Sequence, residues 1–286
     1  MNSNQDVGEP RNPSFPHAST DDLVIVGIMK DAARLAGASL VQKFAQINSL
    51  LVLSKGPSDF VTAADLESEQ ILTGALRGAI PGIALLGEET GFSDDGVATD
   101  VKIVMDPLDG TNNFIHGIPH FSISLALMRG NELRGGVVFN PLNGDMFWAA
   151  HGQGAYLGER RLTGSQRDLL SQAVVGTCFP YNGKGDVMTC AFEMLRLMPL
   201  VSGIRSPGSA ALEICYVAEG RFDAFWNSGA KLDLWDLAAG VIIAREAGCL
   251  VSEIDGNGDP LECRSLLVTA QQFQAPLVAA LNGSQP

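Results

Sequence analysis

Asp106-Pro107-Leu108-Asp109-Gly110-Thr111-Asn112-Asn113-Phe114 follows the apolar run from Val101 to Met105, which predicts a buried strand. Two carboxylates three residues apart are therefore expected where a strand ends and a turn begins. Gly110 and Thr111 come next, and we expect their backbone N–H groups at the start of a helical turn, where anions bind. Because carboxylates bind hard cations, the stretch predicts metal-assisted chemistry on a phosphate ester.

Composition and charge narrow the class of partner. The 286 residues fit one large domain or two lobes that share a core, and 46% are hydrophobic, which is ample for that core. The net charge of −13 argues against nucleic acid and against an anionic membrane surface, because both require a basic face. No apolar run reaches the length of a membrane span. We therefore expect a small-molecule phosphate ester as the partner.

The cysteines and the first residues predict a cytoplasmic location. There are five cysteines, an odd number, and no pair has the Cys-x-x-Cys spacing, so reduced thiols are expected rather than a disulfide framework. The first twenty residues lack the apolar segment of a signal peptide.

The order of predicted elements divides the chain into three parts. Residues 1–18 carry three prolines among polar residues and are predicted to form a flexible arm. Residues 19–160 are predicted to form an α+β lobe that carries most metal ligands. It starts with a helix, or broken helix pair, from Ser19 to about Leu53, continues with a loop from Lys55 to Ser58, and includes an antiparallel meander. Residues 161–286 alternate strands and helices and are predicted to form an α/β lobe that completes the active site.

Three further acidic residues also lie at predicted element boundaries, where side chains can converge on a cleft. Asp65 and Asp236 each open a predicted helix, and Glu88 follows a predicted strand. Each has a simpler explanation alone, since Asp65 and Asp236 can stabilise helix starts and Glu88 can be a solvated turn residue. Taken together with Asp106 and Asp109, they form an all-oxygen set. Such a set selects Mg²⁺ or Mn²⁺, and the absence of a His or Cys cluster argues against zinc.

Four motifs resemble those of the inositol monophosphatase family, which contains lithium-sensitive, Mg²⁺-dependent phosphomonoesterases. They are Asp106–Phe114, Gly87-Glu88-Glu89, Val61–Asp65 and Trp235–Gly240, in the order and approximate spacing of the family. The resemblance extends from about residue 22 to 282 and favours a bacterial-type member. It implies an α/β (α+β) fold, a layered αβαβα sandwich of the inositol monophosphatase and fructose-1,6-bisphosphatase type, and a homodimer.

The resemblance also implies a set of metal ligands. Glu88, Asp106 and the backbone carbonyl of Leu108 would hold a first ion, and Asp106, Asp109 and Asp236 a second. Glu88 would also contact a third, largely hydrated ion. The expected cofactor is therefore two to three Mg²⁺ ions, with Mn²⁺ as the alternative ion.

Catalytic roles follow from the same resemblance. Thr111, hydrogen-bonded to Asp65, would orient a water made nucleophilic by metal and help take its proton, and Glu88 would act through the metals. The N–H groups of Gly110 and Thr111 would hold the phosphate oxygens. Lys55 occupies the place of a lysine on a loop over the third metal, and an exposed loop cation is the alternative interpretation.

The predicted substrate contacts use some of the same residues. Asp109 and Asp236 would contact the substrate together with the backbone of Ala210 and the side chain of Asn227. At Asn227 the sequence departs from the family pattern, because members that favour inositol commonly have Glu there. Two additional residues also precede Trp235, and an acid within this stretch, Asp233, is a candidate to compensate.

The leading hypothesis is an Mg²⁺-dependent phosphatase acting on inositol monophosphate or a related sugar or polyol phosphate. The alternatives within the fold are fructose-1,6-bisphosphatase, 3′-phosphoadenosine 5′-phosphate phosphatase and histidinol-phosphate phosphatase. A different class is a non-catalytic regulatory binding protein, which would be expected to lose the metal ligands. Outside these motifs, Glu213 is predicted to be solvated or paired with Arg205, and Trp226 to be core.

Overall fold

The computed structural model describes residues 20–47, 52–56, 59–94, 100–180, 185–261 and 265–284. The predicted arm at residues 1–18 lies outside them. The described helices are α1 Thr20–Phe44, α2 Ala63–Ala79, α3 Thr111–Ile115, α4 Val187–Leu197, α5 Ala210–Glu219, α6 Leu234–Glu246 and α7 Gln274–Leu281, with short 3₁₀ turns at Leu170–Gln172 and Gln271–Phe273. The described strands are β1 Val52–Gly56, β2 Asp59–Thr62, β3 Ala84–Gly87, β4 Gly91–Ser93, β5 Val101–Asp109, β6 Ser122–Arg129, β7 Glu132–Asn140, β8 Asp145–Ala150, β9 Gly154–Leu157, β10 Arg160–Arg161, β11 Val174–Thr177, β12 Gly203–Arg205, β13 Ala224–Asn227, β14 Leu250–Ser252 and β15 Leu266–Thr269.

The larger sheet has eight strands in the order β10-β9-β8-β7-β6-β5-β3-β4. Strands β5 to β9 form the antiparallel meander, whereas β3 and β5 pair in parallel. Successive side chains of a strand point to opposite faces, so both faces of β5 are apolar. Ile103 and Met105 pack with residues of α1 and α2, such as Met29 and Leu72. Val104 packs on the other side with residues of α5 and α6.

The smaller sheet has five strands in the order β12-β11-β13-β15-β14. One face, which includes Phe225 and Val268, shares a core with α5, α6 and the larger sheet. The other face, which includes Trp226 and Leu267, packs against α4 and α7. The chain is therefore a layered αβαβα sandwich, and Trp226 is fully buried in its core, as predicted. Within the described ranges, no helix combines the length and apolar character needed to cross a membrane.

The prediction for the region between α1 and α2 was wrong. The first helix ends at Phe44, and the stretch predicted as helix end and loop contains the antiparallel strands β1 and β2 instead. Lys55 lies in β1. Two apolar runs on either side of a Gly-Pro turn are a hairpin signal, which the helical interpretation overlooked.

Candidate active site

A bulge in β5 brings two carboxylates to the same side of the sheet. Asp106 pairs with Ser124 and Asp109 with Ser122, so three steps along β5 match two steps along β6. In a regular strand, residues three apart point to opposite faces, but one extra residue reverses that alternation. The strand was predicted to end at Met105, and this was wrong, because both carboxylates lie within β5.

A third carboxylate comes from the start of α6. Asp236 is the third residue of this helix, and its Oδ2 accepts a hydrogen bond from the backbone N–H of Asp233 at 2.6 Å. It is thus part of a capping box, as its simpler explanation required. One oxygen from each of Asp106, Asp109 and Asp236 also lies within 4.8 Å of the other two. The capping role and membership of an acidic group therefore occur in the same side chain.

The electrostatics of this group suit a cation. Burial raises the pKa of Asp106 well above its ordinary value, and the charges of Glu88, Asp109 and Asp236 raise it further. Burial, followed by the charge of Asp109, raises the pKa of Asp236 in the same way. Several carboxylates this close cannot all be ionised unless positive charge compensates them. The donor set consists of oxygen atoms, which fits Mg²⁺ or Mn²⁺.

Glu88 and Leu108 lie at the edge of the acidic group. Glu88 directly follows β3, and its N–H donates to the carbonyl of Met105 at 3.2 Å, next to the bulge. It lines the same cleft but is not one of the three clustered carboxylates. The N–H of Leu108 donates to Oδ1 of Asp106 at 2.9 Å, which orients that carboxylate.

Thr111 and Asp65 make the hydrogen bond that the family resemblance implied. Thr111 Oγ1 donates to Asp65 Oδ1 at 3.0 Å and lies equally close to the carbonyl of Leu108. Asp65 is fully buried at the start of α2, where Thr62 donates to its Oδ2 through both N–H and Oγ1. Burial nevertheless raises the pKa of Asp65. A buried carboxyl group therefore holds the hydroxyl of Thr111, which lines the cleft.

Gly110 is a position that requires glycine. Its φ is +95°, in the left-handed region, and it immediately precedes α3. A Cβ at this position would come within 3.0 Å of the carbonyl of Gly208 and 3.1 Å of that of His120. Any other residue would therefore be strained and would displace the backbone across the cleft.

The start of helix α5 anchors Asp109 through hydrogen bonds. Ser209 Oγ and the N–H of Ala211 donate to Asp109 Oδ2 at 2.5 and 3.0 Å, and Ser122 Oγ donates to it at 3.2 Å. Burial raises the pKa of Asp109, and these hydrogen bonds oppose the rise. Ala210 lies in this segment and lines the cleft. The serines were not singled out from the sequence, because only the tertiary structure brings them to Asp109.

Asn113 is a second contributor that the sequence analysis did not identify. Its Nδ2 donates to the carbonyls of His120 and Pro207 at 2.7 and 2.8 Å, with that of Gly208 at 3.3 Å. This side chain joins the turn after β5 to the segment before α5. Asn113 belongs to the quoted motif, but the motif alone does not indicate which backbone groups it binds.

The predicted substrate-binding residue Asn227 lies beside the cleft rather than in its lining. Asn227 is buried, and its amide group forms two hydrogen bonds with the backbone of Ala230, at 2.9 and 3.2 Å. It lines a neighbouring depression, while Ala230 to Asp233 line the same cleft as Thr111. The side chain of Lys55 lies outside the described part of the structure.

The prediction for Glu213 was wrong. Its side chain is fully buried, and one of its oxygens accepts a hydrogen bond from the N–H of Gly208 at 3.0 Å. Burial raises the pKa of Glu213 well above its ordinary value. The backbone of Gly208 bonds to this carboxyl group and Gly176 of β11 lies close to it, contacts that helical periodicity alone could not reveal.

Asp106, Asp109, Asp236, Glu88 and Thr111 line one cleft of about 460 Å³. We refer to it as the acidic cleft. It is lined by Glu88, the β5 carboxylates, the turn from Gly110 to Asn113, the segment from Ser206 to Ala210, and the start of α6. Carboxylates able to hold cations and backbone groups able to hold an anion thus face the same space.

Comparison with known proteins gives consistent findings. Residues 23–285 match the family described as the inositol monophosphatase family. The chain is 44% identical over 243 residues to an inositol-1-monophosphatase of Rhizobium meliloti, covering 85% of this chain and 90% of that protein. It is 42% identical over 241 residues to a protein of Pseudomonas aeruginosa named Nus factor SuhB, covering 83% and 88%.

Among solved structures, the extragenic suppressor protein SuhB of Bartonella henselae is similar throughout. The TM-score is 0.86 at 37% identity, and the match covers 90% of this chain and 98% of that one. Similarity over nearly the whole length of both chains means that the layers and their connections are shared.

Proposed function

We propose that this chain, a phosphomonoesterase that belongs to the inositol monophosphatase family, uses Mg²⁺ to hydrolyse an inositol monophosphate or a related sugar or polyol phosphate. The observation that carries this proposal is the group formed by buried Asp106 and Asp109 with partly buried Asp236, in the same cleft as Gly110 and Thr111. An anionic substrate approaches such a site only when cations compensate the carboxylates.

The assignment of metal ligands follows the family pattern. Glu88, Asp106 and the carbonyl of Leu108 would hold one ion, and Asp106, Asp109 and Asp236 another, with a third beside Glu88. When bound, such ions lower the pKa of water and neutralise charge on the phosphoryl group and on the leaving oxygen.

The protein's own groups would handle the proton and the substrate. Thr111 Oγ1 donates to Asp65, so its lone pairs remain available to accept a hydrogen bond from water. As the water attacks phosphorus, its proton would pass to Thr111 Oγ1, and the threonine proton to Asp65 Oδ1. The raised pKa of Asp65 favours that transfer.

Substrate binding would use the remaining predicted contacts. The N–H groups of Gly110 and Thr111 would hold phosphate oxygens, while Asp109, Asp236 and the backbone of Ala210 would contact hydroxyl groups. Asn227 would act mainly through the backbone of Ala230, because its amide is bonded there. A neutral amide in place of a carboxylate would weaken the preference for a polyol.

The test is phosphate release from inositol 1-phosphate with and without Mg²⁺. A panel containing fructose 1,6-bisphosphate, 3′-phosphoadenosine 5′-phosphate and histidinol phosphate ranks the alternatives. We expect Mg²⁺-dependent release, fastest from inositol 1-phosphate. Release from none of these esters by folded protein would contradict the proposed reaction, and a different first-ranked ester would contradict only the substrate.

The Thr111→Val variant should lose activity and keep its fold. The change removes the hydroxyl that donates to Asp65 while retaining a side chain of similar shape. General-base steps contribute about a hundredfold or more, so we expect kcat to fall by about that factor. Thr111→Ser is the matched control, because it retains Oγ and should stay active. Equal kcat values for the valine variant and the wild type would exclude Thr111 from proton transfer.

A homodimer is part of the same proposal, and α4 supplies an apolar surface for it. Val187, Met188, Phe192, Leu195 and Met198 are each more than half exposed along this helix. Exposed patches of this kind commonly mark interfaces.

We therefore expect the Leu195→Glu variant to be monomeric. Light scattering should give about 30.2 kDa for the variant and about twice that for the wild type. Leu35→Glu is the matched control, because Leu35 is similarly exposed on α1. A wild-type monomer, or a dimer that survives the Leu195 change, would contradict the assignment.

A Nus-factor role is the second candidate, because relatives with 42% and 36% identity are named Nus factor SuhB. This role corresponds to the regulatory alternative. Unlike hydrolysis, a Nus-factor role does not require the acidic cleft to be catalytically active. A folded variant without phosphatase activity that still replaces such a relative in its host would support it. Failure of both that variant and the wild type to do so would contradict it.

The proposed location is the cytoplasm. The four described cysteines, Cys178, Cys190, Cys215 and Cys249, are free thiols. Cys263 lies outside the described residues. Free thiols are typical of a reducing compartment.

A further inference from the structure

The connection between β13 and α6 forms one side of the acidic cleft. We call residues Asn227 to Asp233 the wall segment. Its second half, Ala230 to Asp233, lines the cleft, and the N–H of Asp233 bonds to Asp236 of the acidic group. Its conformation therefore shapes the space beside the phosphate and metal groups.

The middle of the wall segment packs against the start of α4. The carbonyl of Gly229 accepts a hydrogen bond from the N–H of Asp186, the N-cap of that helix, at 2.7 Å. A Cβ on Gly229 would lie 2.8 Å from the Cβ of Cys190. This close packing means that a change in the side chains of α4 can shift the wall segment.

Glu193 of α4 makes the side-chain connection. Ser228 Oγ lies 2.5 Å from both of its carboxyl oxygens, and Trp226 Nε1 donates to Oε2 at 3.0 Å. Glu193 is buried, with 5% of its surface exposed. Two donors meet a group that only accepts, so both are satisfied, and removing the acceptor would leave buried polar atoms unpaired.

Glu193 is absent from the lining of the acidic cleft, so it does not act on substrate directly. Its two hydrogen-bond partners, Trp226 and Ser228, lie in different parts of the fold. Trp226 is core, and its bond to Glu193 stabilises the smaller sheet. Ser228 belongs to the wall segment, and its bond fixes the strand end from which Ala230 to Asp233 extend.

We propose that Glu193 is a positioning residue, which holds the wall segment through Ser228 and thereby sets the preference of the cleft for a large hydroxylated leaving group. This inference rests on the proposed phosphatase function and deepens it. A cyclitol or sugar has hydroxyl groups that can contact the residues of the wall segment that line the cleft, while a two-carbon alcohol has none beyond the ester oxygen. A displaced wall segment should therefore affect the first class of ester and spare the second.

The experiment compares inositol 1-phosphate with ethyl phosphate, in Mg²⁺, for the wild type and Glu193→Gln. Glutamine keeps the size of the side chain but turns one acceptor into a donor that opposes Ser228 or Trp226. We expect KM for inositol 1-phosphate to rise about tenfold, the effect of one hydrogen bond to a carboxylate. For ethyl phosphate we expect kcat/KM to stay within about twofold of the wild type.

Two further variants distinguish a displaced wall segment from a general loss of stability. Ser228→Ala removes only the hydroxyl, so it should reproduce the selective loss even if Glu193→Gln folds poorly. The double variant should lose no more selectivity than either single variant, because both remove the same interaction. Glu132→Gln is the control, because the Glu132 side chain is 79% exposed.

The outcomes distinguish this inference from the function on which it rests. A selective loss on inositol 1-phosphate in Glu193→Gln and Ser228→Ala supports it. An equal loss on both esters, or no loss in an active enzyme, overturns it and leaves the proposed function intact. Wild-type protein that hydrolyses neither ester overturns the proposed function and this inference together.

Discussion

The Asp106→Asn variant should be folded and inactive. Asp106 is a carboxylate whose pKa is raised by burial and by the charges of Glu88, Asp109 and Asp236. In the proposed assignment it contacts both principal ions. Asparagine keeps the acceptor for the N–H of Leu108 and removes the charge. We expect kcat/KM to fall by at least about a thousandfold, which corresponds to about 4 kcal/mol of transition-state stabilisation.

Mg²⁺ should reverse the order of stability of the Asp106→Asn variant and the wild type. A misfolded variant would not show this reversal. Without Mg²⁺, the loss of one mutually repelling carboxylate should make the variant more stable than the wild type near neutral pH. With Mg²⁺, the wild type should become the more stable of the two. Asp31→Asn is the control, because the Asp31 side chain is 77% exposed and does not line the acidic cleft. An active Asp106→Asn enzyme would contradict the metal assignment.

Mg²⁺ should stabilise the protein more at alkaline than at acidic pH. Burial and mutual repulsion raise the pKa values of Asp106, Asp109 and Asp236 in the folded protein. A folded-state pKa above the unfolded value means that the folded state binds more protons in the window between them. The metal-free protein therefore loses stability as pH rises above about 4 towards these raised values. Bound Mg²⁺ offsets that loss, because it stabilises the ionised carboxylates.

The measurement is the melting temperature with Mg²⁺ and with a chelator, at about pH 8 and about pH 5.5. At a Mg²⁺ concentration of about 100 times Kd the stabilisation is about 2.7 kcal/mol, which corresponds to a shift of about 5 °C for a chain of this size. We expect this shift at the higher pH and a smaller one at the lower pH. Sodium chloride at the same ionic strength serves as the control. An equal shift in melting temperature at both pH values would contradict the coupling between Mg²⁺ binding and ionisation of these carboxylates.

Local sequence patterns predicted much of the fold. Alternating and continuous apolar runs identified the meander from β6 to β9 and the strand–helix alternation of the second half. They failed between α1 and α2, where apolar runs short enough for either a strand or a helix were assigned to the wrong one. Periodicity also placed Glu213 on a solvated face, because helical periodicity contains no information about contacts with neighbouring segments such as that of Gly208.

For the site, the sequence by itself determined which residue types are available: five acids at or next to predicted element boundaries, a glycine that tolerates positive φ, and a threonine beside it. These properties belong to single residues and their neighbours in the chain. Only the tertiary structure decided how they meet. The bulge in β5 turns Asp106 and Asp109 to one side, α6 adds Asp236, and Ser209 at the start of α5 orients Asp109. The physical reason is that strand alternation is interrupted at one residue and that the other partners are a hundred or more residues away in the chain, so no local pattern records their approach.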